Sequence, residues 1–166
     1  MITQERLKEV MRYDPETGVF TWLIAVGRGP SRRQPGDTAG NDNHDGAIRI
    51  TYNGEKYLAH RLAWFYMTGR WPKPDCDHQD RDRANNRWSN LREATHSQNL
   101  ANTTVRKNSK SGIKGVCWNV KSRKWQASIT VDYHQRSLGY FDCPAVAHLA
   151  YCLEAHKAFG PYARTT

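Results

Sequence analysis

Between Asp77 and Asn99 the chain reads DHQDRDRANNRWSNLREATHSQN, and no other stretch constrains the molecule as strongly. One histidine, His78, stands beside one carboxylate, Asp77. Asn90 and Asn99 follow at short intervals in a run crowded with Arg, Asn and Asp. The run offers a base for water, oxygen ligands for a hard cation and cations for phosphates. Those are the components of metal-assisted phosphodiester chemistry. Taken singly, each has a plainer reading: an Asp-His pair is usually a surface turn, and Asn85, Asn86 and Asn90 read as turn formers.

The charge distribution points to a polyanion. The chain has 166 residues, enough for one domain or two small ones, and a net charge of +9. Residues 1–102 nearly balance 15 basic against 13 acidic side chains, whereas residues 103–166 carry 10 against 3. A field concentrated in one part of a chain suits a phosphate backbone, because each Lys or Arg near a phosphate releases condensed counterions. Cys76, Cys117, Cys143 and Cys152 form no C-x-x-C pair, which excludes a zinc ribbon and argues against a disulfide framework. With no signal-peptide pattern and no run of 18 apolar residues, the expectation is a soluble, reduced, cytoplasmic protein without a membrane partner.

Local patterns give a mixed α+β chain. Thr3 caps a short helix over Gln4–Arg12, with Leu7, Val10 and Met11 on one face. Asp14–Gly18 is a turn, Val19–Leu23 a strand, and residues 27–46 a long loop. Asn53-Gly54 joins strands Ala47–Tyr52 and Glu55–Leu58 as a hairpin. A helix over His60–Thr68 stops at Gly69. Thr103–Ser111 has no acidic residue and reads as a basic linker carrying Arg106, Lys107 and Lys110. Three strands, Gly115–Asn119, Trp125–Val131 and Gln135–Tyr140, then precede a helix over Pro144–Phe159. Trp125, Ala127, Ile129 and Val131 alternate with Gln126, Ser128 and Thr130. The apolar face is expected to pack on the helix through Val146, Leu149, Ala150 and Leu153, with Trp118 and Trp125 in the core.

Residues 75–102, with Asp77-His78, Asn85-Asn86-Arg87, Asn90-Leu91 and Asn99, resemble the HNH endonuclease family of the phage homing type. The segment Leu58–Ala63 also looks like the one preceding the finger in that family. Asn99 stands where many members have His. The resemblance implies a ββα-metal finger: strands at Cys76–His78 and Leu91–Thr95, then a helix over His96–Asn102. It assigns His78 as general base, Asn90 as the residue bracing the loop that carries it, and Asp77 and Asn99 as ligands of a divalent ion. Mg²⁺ is the expected ion, and Mn²⁺ could substitute. His96 competes with Asn99 as ligand, His60 reads as structural, and Asp80, Asp82 and Glu93 could assist the metal. Arg81, Arg83, Arg87 and Arg92 are candidates for phosphate contact.

Residues 112–163, with Gly112–Val116, Lys124–Ala127, Leu138–Phe141, Ala150-Tyr151 and Phe159–Ala163, resemble the plant ethylene-response-factor (Apetala-two type) DNA-binding domain. That resemblance implies a three-stranded sheet on one helix, with the polar face in the major groove. The corresponding contact positions are Lys114, Cys117, Asn119, Ser128, Thr130, Gln135, Ser137 and Tyr140. Lys121, Arg123, Lys124 and Arg136 suit phosphates. The expected organisation is a nuclease domain over 1–102 (finger 75–102), a linker over 103–111 and a DNA-binding domain over 112–166. The expected function is site-directed cleavage of double-stranded DNA, nicking as a monomer or weak dimer and leaving 3′-hydroxyl and 5′-phosphate ends. The alternatives are a DNA-binding regulator with an inactive nuclease fold, or a nuclease of low specificity.

Overall fold

The computed structural model describes residues 2–29, 32–42, 44–105 and 109–165; Arg106 and Lys107 lie outside the described residues. The chain is α+β and forms two compact units, residues 1–93 and 94–166.

In the first unit, α1 (Gln4–Val10) starts at Thr3, whose side chain accepts from the Arg6 N–H. The helix ends two residues earlier than its sequence suggests, because Met11–Tyr13 form a strand, β1. β1 pairs antiparallel with β2 (Phe20–Trp22), and β2 pairs with β3 (Thr38–Ala39). Residues 27–46 are therefore not loop throughout: β3 lies there, as does β4 (Asn41–Asp42). β4 pairs with β5 (Ile48–Tyr52), which turns at Asn53-Gly54 into β6 (Glu55–Leu58). These short polar segments lack apolar alternation, and only pairing with β2 and β5 makes them extended.

Helix α2 (Ala59–Thr68) buries Leu62, Ala63 and Phe65. With Leu7, Val10, Met11, Phe20 and Ile50 they form the core of the unit. Trp71 stacks on Phe65 at 4.5 Å and on Tyr57 at 6.0 Å. β7 (Asp75–His78) and β8 (Leu91–Ala94) form a two-stranded ribbon. Between them runs a loop ending in a 3₁₀ turn, Trp88–Asn90.

The turn between β1 and β2 supports that loop. The Trp88 N–H donates to the Pro15 carbonyl at 2.9 Å. Tyr13 Oη donates to the buried Asn86 carbonyl at 2.7 Å. Burial, then nearby Asp14 and Cys76, raise the Tyr13 pKa, so the phenol stays a donor. Gly18 sits at φ +75°, and a Cβ there would collide with the Asn86–Arg87 peptide.

The second unit opens with α3 (His96–Ala101). Thr95 accepts from the Gln98 N–H, and the Gln98 side chain reaches back to the Thr95 N–H, a capping box. β9 (Val116–Asn119), β10 (Lys124–Val131) and β11 (His134–Phe141) form an antiparallel sheet in the order β11-β10-β9, with a bulge between Ala127 and Ser128.

The sheet packs on α4 (Pro144–Phe159), but not through the expected stripe. Ala147, Tyr151, Ala155 and Phe159 are buried, whereas Val146, Leu149 and Leu153 are exposed. Ala150 alone of the expected set packs on the core. The alanines allow close approach, and the Tyr151 ring lies where any Cβ on Gly115 would be. Apolar character was therefore a poor guide to the buried face: the tight contact selects small side chains. Trp125 is partly buried, but Trp118 is half exposed and meets it edge-on at 5.1 Å.

Gly18→Ala should lower the unfolding free energy by roughly 1–3 kcal/mol, from the strained φ and the collision. Denaturant unfolding followed by tryptophan fluorescence checks this. An unchanged midpoint would show that the turn does not bear on the loop.

Candidate active site

His78 closes β7 and is 6 % exposed. Its Nε2 lies 3.1 Å from Asn86 Oδ1. The Asn86 amide is oriented because its Nδ2 donates to the Ala84 carbonyl at 3.2 Å. The oxygen therefore faces the imidazole, and Nε2 must carry the hydrogen. In the neutral ring with its hydrogen on Nε2 the lone pair is on Nδ1, the state a general base needs. The orienting residue is thus Asn86, which its sequence context marked only as a turn former. Its signal was weak because any Asn in so polar a run has a local explanation.

Asn90 braces the loop. Its Oδ1 accepts from the Asp80 N–H at 3.0 Å, and its Nδ2 donates to Asp80 Oδ1 at 2.9 Å and to the Asn85 carbonyl at 2.8 Å. The Gln79 N–H donates to the Asn90 carbonyl at 2.9 Å, tying the two ends of the loop together next to His78.

Asp80 is the hub of this network and also accepts from Asn85 Nδ2 at 2.7 Å and the Asp82 N–H at 2.8 Å. Burial pushes its pKa up, but the donors from Asn85, Asn90 and Asp82 outweigh that and leave it lowered. Its oxygens hold the loop. Asp82 likewise caps the Ala84 N–H at 2.9 Å. Glu93 accepts from both Arg70 terminal nitrogens, at 2.5 and 2.7 Å, and from the Lys73 N–H at 2.8 Å. All three carboxylates that the sequence offered as further metal ligands, Asp80, Asp82 and Glu93, have structural partners.

Asp77 is buried beside His78, and its Oδ2 accepts from Arg92 Nε at 3.0 Å and Nη2 at 2.9 Å. Arg92 is therefore engaged with a carboxylate on the neighbouring strand rather than presented to solvent. Arg81, Arg83 and Arg87 project from the loop and are exposed; Arg83 also reaches Asp45. Asn99 and His96 lie on α3 in the second unit, and the His96 ring stacks on Tyr133 at 5.8 Å.

No group of three or more His, Cys, Asp or Glu side chains that could hold a metal occurs among the described residues. The candidate ligands, a carboxylate at Asp77 and an amide oxygen at Asn99, are nonetheless hard oxygen donors. They suit Mg²⁺, which keeps several waters and completes its shell with substrate phosphate.

His60, in the first turn of α2, meets His78 edge to face at 4.8 Å. Its Nδ1 is buried with no hydrogen-bond partner among the described residues. Burial, then the proximity of His78 and Arg61, hold its pKa down at about 3. It is a neutral wall beside His78. Burial pushes the nearby Cys76 thiol up to about 12, which excludes it as a nucleophile.

Among the basic residues of the second unit, Lys114 Nζ donates to the Ala101 and Thr103 carbonyls at 2.5 and 2.6 Å. Lys124 pairs with Asp142 at 3.2 Å, and Arg136 with Glu154 on α4 at 3.1 Å. Lys110, Lys121 and Arg123 are exposed, the last two in the turn between β9 and β10.

Residues 57–101, from β6 through α3, match the family profile of the HNH endonucleases. This match over residues 57–101 supports a DNA-cleaving hydrolase. The solved structure described as DNA binding and cleavage by the HNH homing endonuclease I-HmuI aligns with 87% of this chain and 76% of that one, at 21% identity and a TM-score of 0.42. No curated protein matches the chain.

Two outcomes are expected. Asn86→Ala should lower kcat for cleavage by roughly ten- to a hundredfold with little change in KM, because the base loses its fixed tautomer but DNA contacts persist. Equal kcat values would exclude the orienting role. Secondly, stability should fall as pH drops from about 6.5 toward about 3, because unfolded His60 takes up a proton that the folded state refuses. His60→Phe should flatten that part of the pH profile in denaturant melts.

Proposed function

We propose that this protein is a site-directed, metal-dependent endonuclease of double-stranded DNA, resembling freestanding homing endonucleases and acting in the cytoplasm of a bacterial host. The observation that carries the reading is the His78–Asn86 pair, which leaves Nδ1 as the basic nitrogen beside the Asp77 carboxylate within an HNH-matching segment. His78 Nδ1 takes a proton from water, the water oxygen attacks phosphorus, and the bond to the 3′ oxygen breaks. The ends left are 3′-hydroxyl and 5′-phosphate. Asn86 and Asn90 keep the base in place, and Arg81, Arg83 and Arg87 contact phosphates. Asp77 and Asn99, the residues that the family resemblance assigns as ligands, would hold a divalent cation, Mg²⁺ or Mn²⁺, which when bound would offset charge on the phosphate and the leaving oxygen. One site per chain nicks one strand; a double-strand break needs a second copy or a second binding event.

The C-terminal unit finds the site, in the manner of the Apetala-two type domain it resembles. Lys121 and Arg123 in the exposed turn, with Lys110 and Lys124, face phosphates, whereas Arg136 is held by Glu154 on α4. The outward face of the sheet, with Asn119, Ser128, Thr130, Gln135 and Tyr140, enters the major groove.

The test is incubation of the protein with bacterial genomic DNA in Mg²⁺, Mn²⁺ or EDTA, with the ends mapped by sequencing. Recurring metal-dependent ends are expected. Scattered ends would indicate a nuclease of low specificity, and tight, salt-sensitive binding without ends a regulator. His78→Ala should reduce cleavage by at least about a hundredfold, the scale of general-base catalysis, and leave binding nearly intact. Persistent cleavage would remove His78 from the role of base.

A further inference from the structure

The outward face of the C-terminal sheet is built of amides and hydroxyls rather than guanidiniums. Side chains at alternate positions of β10 point away from α4, and the register sets Gln126 between Cys117 on one side and Tyr140 on the other. The ion pair of Lys124 with Asp142 lies at one end of the sheet. Arg136 turns toward α4 and Glu154.

At the centre a relay fixes the amides. The Ser122 N–H donates to Asn119 Oδ1 at 3.0 Å. Asn119 Nδ2 donates to Gln126 Oε1 at 3.3 Å, and Gln126 Nε2 donates to Ser137 Oγ at 3.3 Å. A backbone N–H can only donate, so it decides which end of Asn119 faces it. Asn119 in turn decides which end of Gln126 faces Asn119. Gln135 Nε2 similarly donates to Ser128 Oγ at 3.2 Å. The relay uses one hydrogen of Gln126 Nε2 and one lone pair of Oε1. The second hydrogen and second lone pair of the same amide form the donor–acceptor pair that complements adenine N7 and N6–H₂ in the major groove. Guanine, with two acceptors on that edge, calls for the fork of an arginine.

We propose that Gln126, oriented by this relay, reads an adenine, so that the sequence selected by the C-terminal unit is centred on A·T pairs. This rests on the reading of the sheet as the surface that meets DNA. Ser137 and Asn119 are positioning residues for Gln126.

Random duplexes are selected with the full-length protein in EDTA, so that binding alone is read, and compared across variants with unchanged thermal melting. The wild type should enrich a motif with an adenine at one central position. Gln126→Ala should reduce that preference roughly tenfold, and Gln126→Arg should move it to guanine. A motif centred on G·C, or one unaltered by Gln126→Ala, overturns the assignment. The underlying surface is tested separately by Ser128→Glu, which sets a negative charge in the middle of the face. A loss of affinity of at least about tenfold for all duplexes is expected. Undiminished affinity removes the sheet from the DNA interface and the adenine reading with it.

Discussion

The segment from Gln79 to Arg87 lies outside any regular strand or helix, so its backbone groups depend on side chains for hydrogen bonds. Asp80, Asn85, Asn86 and Asn90 meet that need. Asp80 gathers donors from Asn85, Asn90 and the Asp82 N–H, and Asn90 ties the two ends of the loop together. The same network delivers Asn86 to the His78 ring. A loop satisfied in this way is fixed without secondary structure, and with it the tautomer of the histidine.

That loop would be poorly defined without support beneath it. The turn between β1 and β2 packs its Gly18 backbone against the Asn86–Arg87 peptide, while Tyr13 and Pro15 hydrogen-bond to the loop from below. The N-terminal strands thereby serve the chemistry at a distance. On the other side of the histidine, His60 contributes a buried, uncharged ring. Neutrality matters there, because a second imidazolium would oppose protonation of the first. The Asp77 carboxylate is balanced across the ribbon by Arg92, so the pair enters the interior without leaving an uncompensated charge.

The two units are built of different materials. The first concentrates carboxylates, amides and one histidine in a braced loop. The second spreads uncharged hydrogen-bonding groups over a sheet and keeps its cations in turns and at edges. A sheet of that kind contributes little electrostatic attraction at its centre, so in the proposed reading phosphate contacts would position it and the amides would discriminate.

Much of this was legible along the chain. The pairing of Asp77 with His78, the helix cap at Thr3, the Asn53-Gly54 hairpin and the alternation in β10 are local signals, set by neighbours within a few residues. The strands at Met11–Tyr13, Thr38–Ala39 and Asn41–Asp42 were not legible, because they are extended only by virtue of distant partners. Nor was the buried face of α4, where close approach to the sheet favoured Ala147 and Ala155 over the larger Val146, Leu149 and Leu153. In the site, the sequence by itself determined which residue types could act as base and oxygen ligands. Only the tertiary structure decided that Asn86 orients His78, that Arg92 is held by Asp77, and that Asp80 serves the loop. Those choices are made by contacts across the fold, and spacing along the chain does not encode them.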